Sequence, residues 1–287
     1  MALSPKGRRG YAAGALALTA ALALSACGSD SGSGGADTSA SAGTGSGAAA
    51  VKLVQPGKLT VCTNIPYEPF QFKDASGNVV GFDVDIVDLA AKKLGVTQNI
   101  VDIDFAVIKS GAAMAAGKCD VAAAGMTITP ERAQNITFSD PYFDATQALL
   151  AKKGTGAKSL EDVKAKGLKL GAQASTTGLD YAKKQGFNPT EYADSPKELL
   201  ALQAGQADVI IQDLPVVLTW LKKPEVAEKF ELIASLDTGE QYGIGMKKDA
   251  DPTLVKTINE ELAKAKQDGT YEKIYVKWFG KKPGELG

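Results

Sequence analysis

The sequence predicts an α/β protein of two lobes, each an open sheet flanked by helices. Three observations lead there. Short apolar runs of strand length alternate with segments of helical period. The alternation stops over residues 138–150 and then restarts. Gly or a capping residue sits at the helix ends. Residues 58–63 read as the first strand. A helix follows over 82–94, with Val84, Val87, Ala91 and Leu94 on one side and Gly95 ending it. Residues 101–105 read as a strand, 111–116 as a short helix and 120–124 as the next strand. Residues 130–134 begin a helical turn, with Pro130 suited to its first position.

After the restart, 168–172 is a strand and 176–184 a helix that stops before Gly186. Ser195-Pro196-Lys197-Glu198 has the form of a capping box with Pro at the first helical position, and Gly205 closes that helix. Residues 207–211 form a strand, 214–221 a helix and 242–246 a late strand. Asp251 caps the next helix, whose core side is Leu254, Ile258 and Leu262. Thr270 opens the last helix. Its stripe of Tyr271, Ile274, Tyr275 and Trp278 at helical spacing reads as core rather than as a ligand site. In such sheets ligands favour the carboxyl ends of strands, in the crevice between lobes.

The start of the chain sets the compartment. Lys6, Arg8 and Arg9 precede an Ala/Leu stretch, residues 11–24, too short to span a bilayer comfortably. Leu24-Ser25-Ala26-Cys27 follows. Residues 1–26 therefore read as a signal peptide. The tetrad resembles a bacterial lipobox, which implies lipidation of Cys27 and a membrane anchor on the extracytoplasmic face. Residues 28–50 are Gly, Ser, Ala, Thr and Asp with no apolar period, a flexible tether with a reach on the order of 25 Å. With Cys27 set aside, Cys62 and Cys119 remain, each on or beside a strand. Neighbouring strands in an exported protein predict a Cys62–Cys119 disulfide, the alternative being two buried thiols.

Composition excludes several classes. Formal charge is −1, and loss of three cations and no acids with residues 1–26 takes it to −4. Without a basic stripe, nucleic acid is not expected as a partner. The chain has no His, which removes Ser-His triads, Cys–His dyads and most zinc sites, and no metal or cofactor is expected.

Residues 125–132, Gly-Met-Thr-Ile-Thr-Pro-Glu-Arg, follow a short apolar strand. A strand that ends in Gly and Thr and turns into a helix carrying Arg132 brings N–H groups, a hydroxyl and a guanidinium together. That set suits a carboxylate, which guanidinium grips in planar two-pronged geometry. The alternative is an Arg that caps a helix or pairs at the surface.

Several segments in order carry a resemblance: Thr63-Asn64-Ile65-Pro66-Tyr67-Glu68-Pro69-Phe70, Val80-Gly81-Phe82-Asp83-Val84-Asp85, residues 125–132, and Phe138-Ser139-Asp140-Pro141-Tyr142. Gln212-Asp213, Gln241-Tyr242-Gly243-Ile244 and residues 268–274 continue it. Over residues 53–280 the chain resembles the family 3 solute-binding proteins of bacterial ABC importers, most closely the glutamine-binding type at its C-terminal end. The resemblance implies a type II periplasmic-binding fold: one lobe of residues 52–142 plus 243–287, the other of 147–237, and a two-strand hinge at 143–146 and 238–242. It implies a monomer that binds a free polar amino acid and delivers it to a membrane permease.

The resemblance also assigns roles. Arg132 clamps the α-carboxylate, and Thr127 adds its hydroxyl and N–H. Gly125 offers a carbonyl to the α-ammonium, which Asp213 pairs. Ser175, Thr176 and Thr177, at a helix N-terminus, meet the carboxylate from the other lobe. Tyr67 stacks over the ligand side chain, and Asn64 and Gln173 contact it. Asn64 departs from the Asp that many relatives carry, which argues against a cationic ligand and leaves glutamine, asparagine or glutamate. Residues 105–114 carry extra length, so Phe105, Val107 or Ile108 forms the second aromatic or apolar wall. From the residues alone, Asp213 also reads as a helix cap, Tyr67 as a core aromatic and the threonines as simple caps. An enzyme on the same fold, of the cyclohexadienyl dehydratase type, is the other class. It needs a further acid facing the cleft, and Glu68 is the one ambiguous candidate.

Overall fold

The computed structural model describes residues 51–286. The expected signal peptide, Cys27 and the expected tether at 28–50 lie outside the described residues. The first sheet opens with β1 (Lys58–Thr63), followed by a two-stranded hairpin of β2 (Phe72–Lys73) and β3 (Val79–Val80). Next come α1 (Phe82–Lys93), β4 (Thr97–Asp102), α2 (Phe105–Lys109), α3 (Ala112–Ala115) and β5 (Val121–Ala122). A 3-10 turn (Arg132–Gln134) and β6 (Ile136–Phe138) complete the N-terminal part. The long β7 (Phe143–Lys152) opens the second sheet, with α4 (Leu160–Ala165), β8 (Leu170–Gln173), α5 (Thr177–Lys184) and β9 (Thr190–Tyr192). It continues through α6 (Ser195–Gln203), β10 (Val209–Asp213), α7 (Leu214–Leu221), α8 (Pro224–Ala227) and β11 (Phe230–Tyr242). The chain then returns to the first sheet as β12 (Gly245–Lys247) and ends in α9 (Pro252–Asp268) and α10 (Thr270–Phe279).

The predicted α/β architecture of two open sheets is what the chain forms. The first sheet has the order β4-β1-β5-β12-β6, and the second β11-β7-β10-β8-β9. Strands β7 and β11 pair antiparallel from Phe143↔Tyr242 to Lys152↔Phe230, with irregular register at Leu232/Ala234 and Asp237/Glu240. Parallel pairs β1–β4, β1–β5, β10–β8 and β8–β9 aim their carboxyl ends at the same region. That geometry gathers the segments after β1, β5, β8 and β10 around one crevice.

Several predicted boundaries shift. The strand placed at 101–105 begins earlier, at Thr97, and Phe105 starts α2 instead. Asp104 is the reason: its carboxylate accepts from the Ala106 N–H and opens the helix there. The box placed at Ser195 is capped one residue earlier, by Asp194, which accepts from the Lys197 N–H. Glu198 thereby moves into the helix body and is fully buried. Val209–Asp213 and Gly245–Lys247 start later than expected, since the preceding residues serve as turns or, at Tyr242, as the end of β11.

The C-terminal helices pack on the first lobe. Tyr275 and Phe279 of α10 are buried, whereas Tyr271, Ile274 and Trp278 of the predicted stripe pack against that core only partly buried. Phe70, Phe82, Phe143 and Tyr242 complete an aromatic cluster with ring centroids 5.0–6.2 Å apart where they meet Phe70, Phe82 and Phe279. Burial of one such side chain stabilises by about 1.5–3 kcal/mol.

Cys62 and Cys119 form the expected disulfide, with Cα atoms 5.6 Å apart and a separation of 57 positions in sequence. The bridge ties β1 to the segment entering β5. On loop-closure entropy alone it stabilises by about 4 kcal/mol. Replacing both cysteines by Ser is therefore expected to lower the melting temperature of residues 51–287 by roughly 10 °C, read by calorimetry. An unchanged melting temperature, with two alkylatable thiols in the unreduced wild type, would contradict it.

Candidate functional site

One cleft collects nearly all the residues singled out in the sequence. Asn64, Tyr67, Phe105, Gly125, Thr127 and Arg132 line it from the first lobe; Gln173, Thr176, Thr177 and Asp213 line it from the second. Ser175 is the one candidate that does not line it. Its backbone sits at φ 69°, and its carbonyl accepts from Arg132 Nη2 at 3.2 Å. Of the three residues weighed for the second wall, Phe105 lines the cleft, while Ile108 is in the core.

Arg132 is buried at the start of the 3-10 turn. Nη1 donates to the Thr127 carbonyl at 2.8 Å, and Cζ lies 5.5 Å from the Phe105 ring centroid. Both hydrogen-bond partners are neutral, and no carboxylate lies within salt-bridge distance among the described residues. The surface-pair alternative for Arg132 is thereby excluded. Burial pulls its pKa below the usual guanidinium range, with Asp180, Glu240 and Asp213 acting in the opposite sense at longer range. Arg remains charged throughout.

Asp213 ends β10 and occupies the N-cap position of α7, yet its side chain makes no cap hydrogen bond. Instead its carboxylate faces the cleft. Oδ1 accepts from Gln147 Nε2 at 2.6 Å, and Oδ2 from the hydroxyls of Tyr67 and Tyr242. Burial pushes its pKa up, and the hydrogen bonds from Tyr242, Tyr67 and Gln147 pull it back. The cleft thus holds a buried cation and a buried anion on opposite lobes, neither paired with a charge of the protein. An unpaired buried ion costs several kcal/mol even after relaxation.

The rest of the lining is neutral and polar. Thr127 Oγ1 and Thr177 Oγ1 meet across the lobes at 3.2 Å. Thr176 is the N-cap of α5: it accepts from the Leu179 N–H and donates to the Gln173 carbonyl, so its hydroxyl is used within its own lobe. The Tyr67 ring stacks on Phe70, so it is at once core aromatic and cleft wall. The Gly125 N–H donates to Asp83 Oδ2 at 2.8 Å, and Tyr142 donates to Oδ1 at 2.7 Å. Burial raises the Asp83 pKa to about 7 against these two bonds. Glu68 is not among the lining residues, and Asp213 is the acid that faces the cleft.

Sequence reasoning missed Gln71, which also lines the cleft, and the supporting side chains Gln147, Gln212, Tyr242 and Asp83. A signal existed for two of them. Gln147 occupies an inward position of β7, in phase with buried Phe143, Ala145, Leu149 and Ala151. Gln212 interrupts an apolar strand one residue from its carboxyl end.

The family model of the bacterial extracellular solute-binding proteins, family 3, matches residues 59–281. The chain belongs to that family. It is 35% identical over 247 residues to a probable histidine-binding protein of Neisseria gonorrhoeae, covering 83% of this chain and 89% of that one. It is 34% identical over 214 residues to the ABC transporter glutamine-binding protein GlnH of Bacillus subtilis (strain 168), covering 74% and 77%. Among solved structures, an ancestral arginine-binding protein bound to glutamine superposes with a TM-score of 0.72 at 40% identity, over 79% of this chain and all of that one, 100%. These relatives are binding proteins, and among the described residues no acid other than Asp213 lines the cleft.

Gly125 sits at φ 54°, and a Cβ there would lie 2.9 Å from Tyr67 Cε1. Gly125→Ala is expected to displace the Tyr67 ring from Asp213, destabilise by about 1–3 kcal/mol and weaken amino-acid binding. Wild-type melting temperature and affinity in this variant would contradict the packing described.

Proposed function

We propose that this family 3 member is the extracytoplasmic receptor of an ABC importer that captures a polar, non-cationic amino acid between its lobes and hands it to a permease. The observation that carries the reading is the pair of buried, mutually unpaired charges, Arg132 and Asp213, facing one cleft from opposite lobes. An α-amino acid carries the complementary two charges on one carbon. In this reading Arg132 takes the α-carboxylate in bidentate fashion, with Thr127 and the N-terminus of α5 as further donors. Asp213 and the Gly125 carbonyl take the α-ammonium. Tyr67 and Phe105 enclose the side chain, and Asn64 and Gln173 meet its polar end. Among the described residues no second acid lines the cleft to neutralise a Lys or Arg side chain.

The lobes are residues 52–142 with 243–287, and 147–237. The hinge is the pair of crossing segments 143–146 and 238–242, where the irregular register at Asp237/Glu240 and Gly239 at φ 66° interrupt the ladder. Closure about two such segments is a hinge motion. No described helix is long and apolar enough to cross a membrane. Retention at the membrane is assigned to a lipid on Cys27, with residues 28–50 as the tether and a monomeric receptor at its end.

A thermal-shift screen of the twenty amino acids on residues 52–287 tests this reading, because a ligand that binds only the folded form raises the melting temperature. A clear shift is expected with a polar, non-cationic amino acid. Arg132→Ala is expected to weaken binding by roughly 30-fold or more. A shift with lysine or arginine alone would contradict the ligand class.

The pH dependence has a definite sign. A bound ammonium stabilises the Asp213 carboxylate, whose pKa is raised in the free protein. Protonation of Asp213 then competes with ligand, so affinity falls as pH drops through that raised value, and binding there releases a proton. Calorimetry from pH 7.5 to 4.5 in buffers of different ionisation enthalpy reads both effects. Constant affinity across that range would contradict the role of Asp213.

A further inference from the structure

Behind the cleft lies a chain of buried amides whose orientation is set by the Asp213 backbone N–H. The Asp213 backbone N–H can only donate, and it donates to Gln212 Oε1 at 2.8 Å. The Tyr67 hydroxyl lies 2.7 Å from the same oxygen. Gln212 Nε2 therefore faces the other way, and it donates to Glu198 Oε2 at 2.7 Å and to Gln173 Oε1 at 3.3 Å. Turning this amide over would set its NH2 against the Asp213 N–H, donor against donor. In a buried site each such mismatch leaves polar groups unsatisfied.

The fixed amide dictates the next one. With Oε1 committed to Gln212, Gln173 has only its NH2 left for the cleft that it lines, and that NH2 has no partner among the described residues. On the facing lobe the Asn64 NH2 donates to the Ile103 carbonyl at 3.1 Å, an acceptor only. Asn64 Oδ1 is left without a partner among the described residues, in the same cleft. Gln71 donates through Nε2 to the Asn64 carbonyl at 3.2 Å, and its Oε1 is buried without a partner. Gln71 also lines the cleft, backing onto a smaller cavity with Gln98. The cleft thus offers donors at Gln173 and acceptors at Asn64 and Gln71.

We propose that Gln212, braced by Glu198, is a specificity-determining positioning residue. By fixing Gln173 as a donor opposite the Asn64 and Gln71 acceptors, it selects an amino acid with a primary carboxamide side chain. This deepens the receptor reading and rests on it. A carboxamide supplies one carbonyl for Gln173 and two N–H groups for the two acceptors. A carboxylate brings a second acceptor against Asn64. An ammonium or guanidinium brings donors against Gln173. A neutral imidazole has one N–H for two acceptors. A site built to hydrogen-bond a group rejects analogues that leave its own polar atoms unpaired far more strongly than an apolar pocket rejects a size difference.

The test is a calorimetric rank order on residues 52–287 with glutamine, asparagine, glutamate, histidine, lysine and arginine. Wild type is expected to bind glutamine or asparagine at least about 100-fold tighter than the other four. Gln173→Glu replaces the donor by an acceptor, and is expected to weaken carboxamide binding and strengthen lysine or arginine. Gln212→Met removes the brace and frees the Gln173 amide to turn over. The ratio between carboxamide and cationic ligands is expected to collapse to within about fivefold while binding persists, whereas a merely structural role would lower all affinities together. A wild-type preference for histidine, glutamate or a cationic amino acid overturns the proposal, as does an unchanged rank order in Gln212→Met. Should Gln212→Met fail to fold, the Gln173→Glu rank order decides in the same sense. If no amino acid binds the wild type, the receptor reading itself fails, which is a separate outcome.

Discussion

A guanidinium and a carboxylate are buried at one cleft without being paired to each other, and much of the surrounding structure follows from that constraint. Each ion lacks a protein counter-charge, so each is held by neutral dipoles. Arg132 has the carbonyls of Thr127 and Ser175, the second from the opposite lobe. Asp213 has two tyrosine hydroxyls and the Gln147 amide. These bonds reduce the desolvation penalty without cancelling either charge. A zwitterion entering between the lobes gains both attractions at once, in a low-dielectric site where they are strongest.

The fold supplies the positions. Asn64, Gly125, Gln173 and Asp213 all stand at or just beyond the carboxyl ends of strands β1, β5, β8 and β10. The disulfide ties the first of these strands to the segment entering the second. The aromatic cluster around Phe70 and Phe82 carries Tyr67 and Tyr242 at its edge, apolar bodies inside and hydroxyls on Asp213. The same two rings therefore belong to the core and to the polar wall. Strands β7 and β11 run from this cluster into the second sheet.

The architecture was legible because it rests on period and punctuation. The α/β alternation, the restart after residues 138–150 and the caps at Thr176 and Asp251 need only local sequence. The cleft was legible through Arg132, Asp213 and the residues around them, since ordered short motifs place charges relative to strand ends. The misreadings have a common physical origin. Phe105 and Glu198 were misassigned because one competing Asp, at 104 and at 194, captured the helix start. Once Asp194 took the cap, Glu198 turned inward and became the brace of Gln212. The supporting amides were harder to read, because a Gln shows its role only through partners distant in sequence: Gln147 reaches Asp213 and Gln212 reaches Gln173.

The most direct measurement compares the tightest-binding amino acid of the screen with two analogues, one lacking the α-amino group and one lacking the α-carboxylate, by calorimetry at neutral pH. Recognition of both charges predicts that each deletion weakens binding by roughly 30-fold or more, since each leaves one buried ion unpaired. Retention of affinity within about threefold by either analogue would contradict the account.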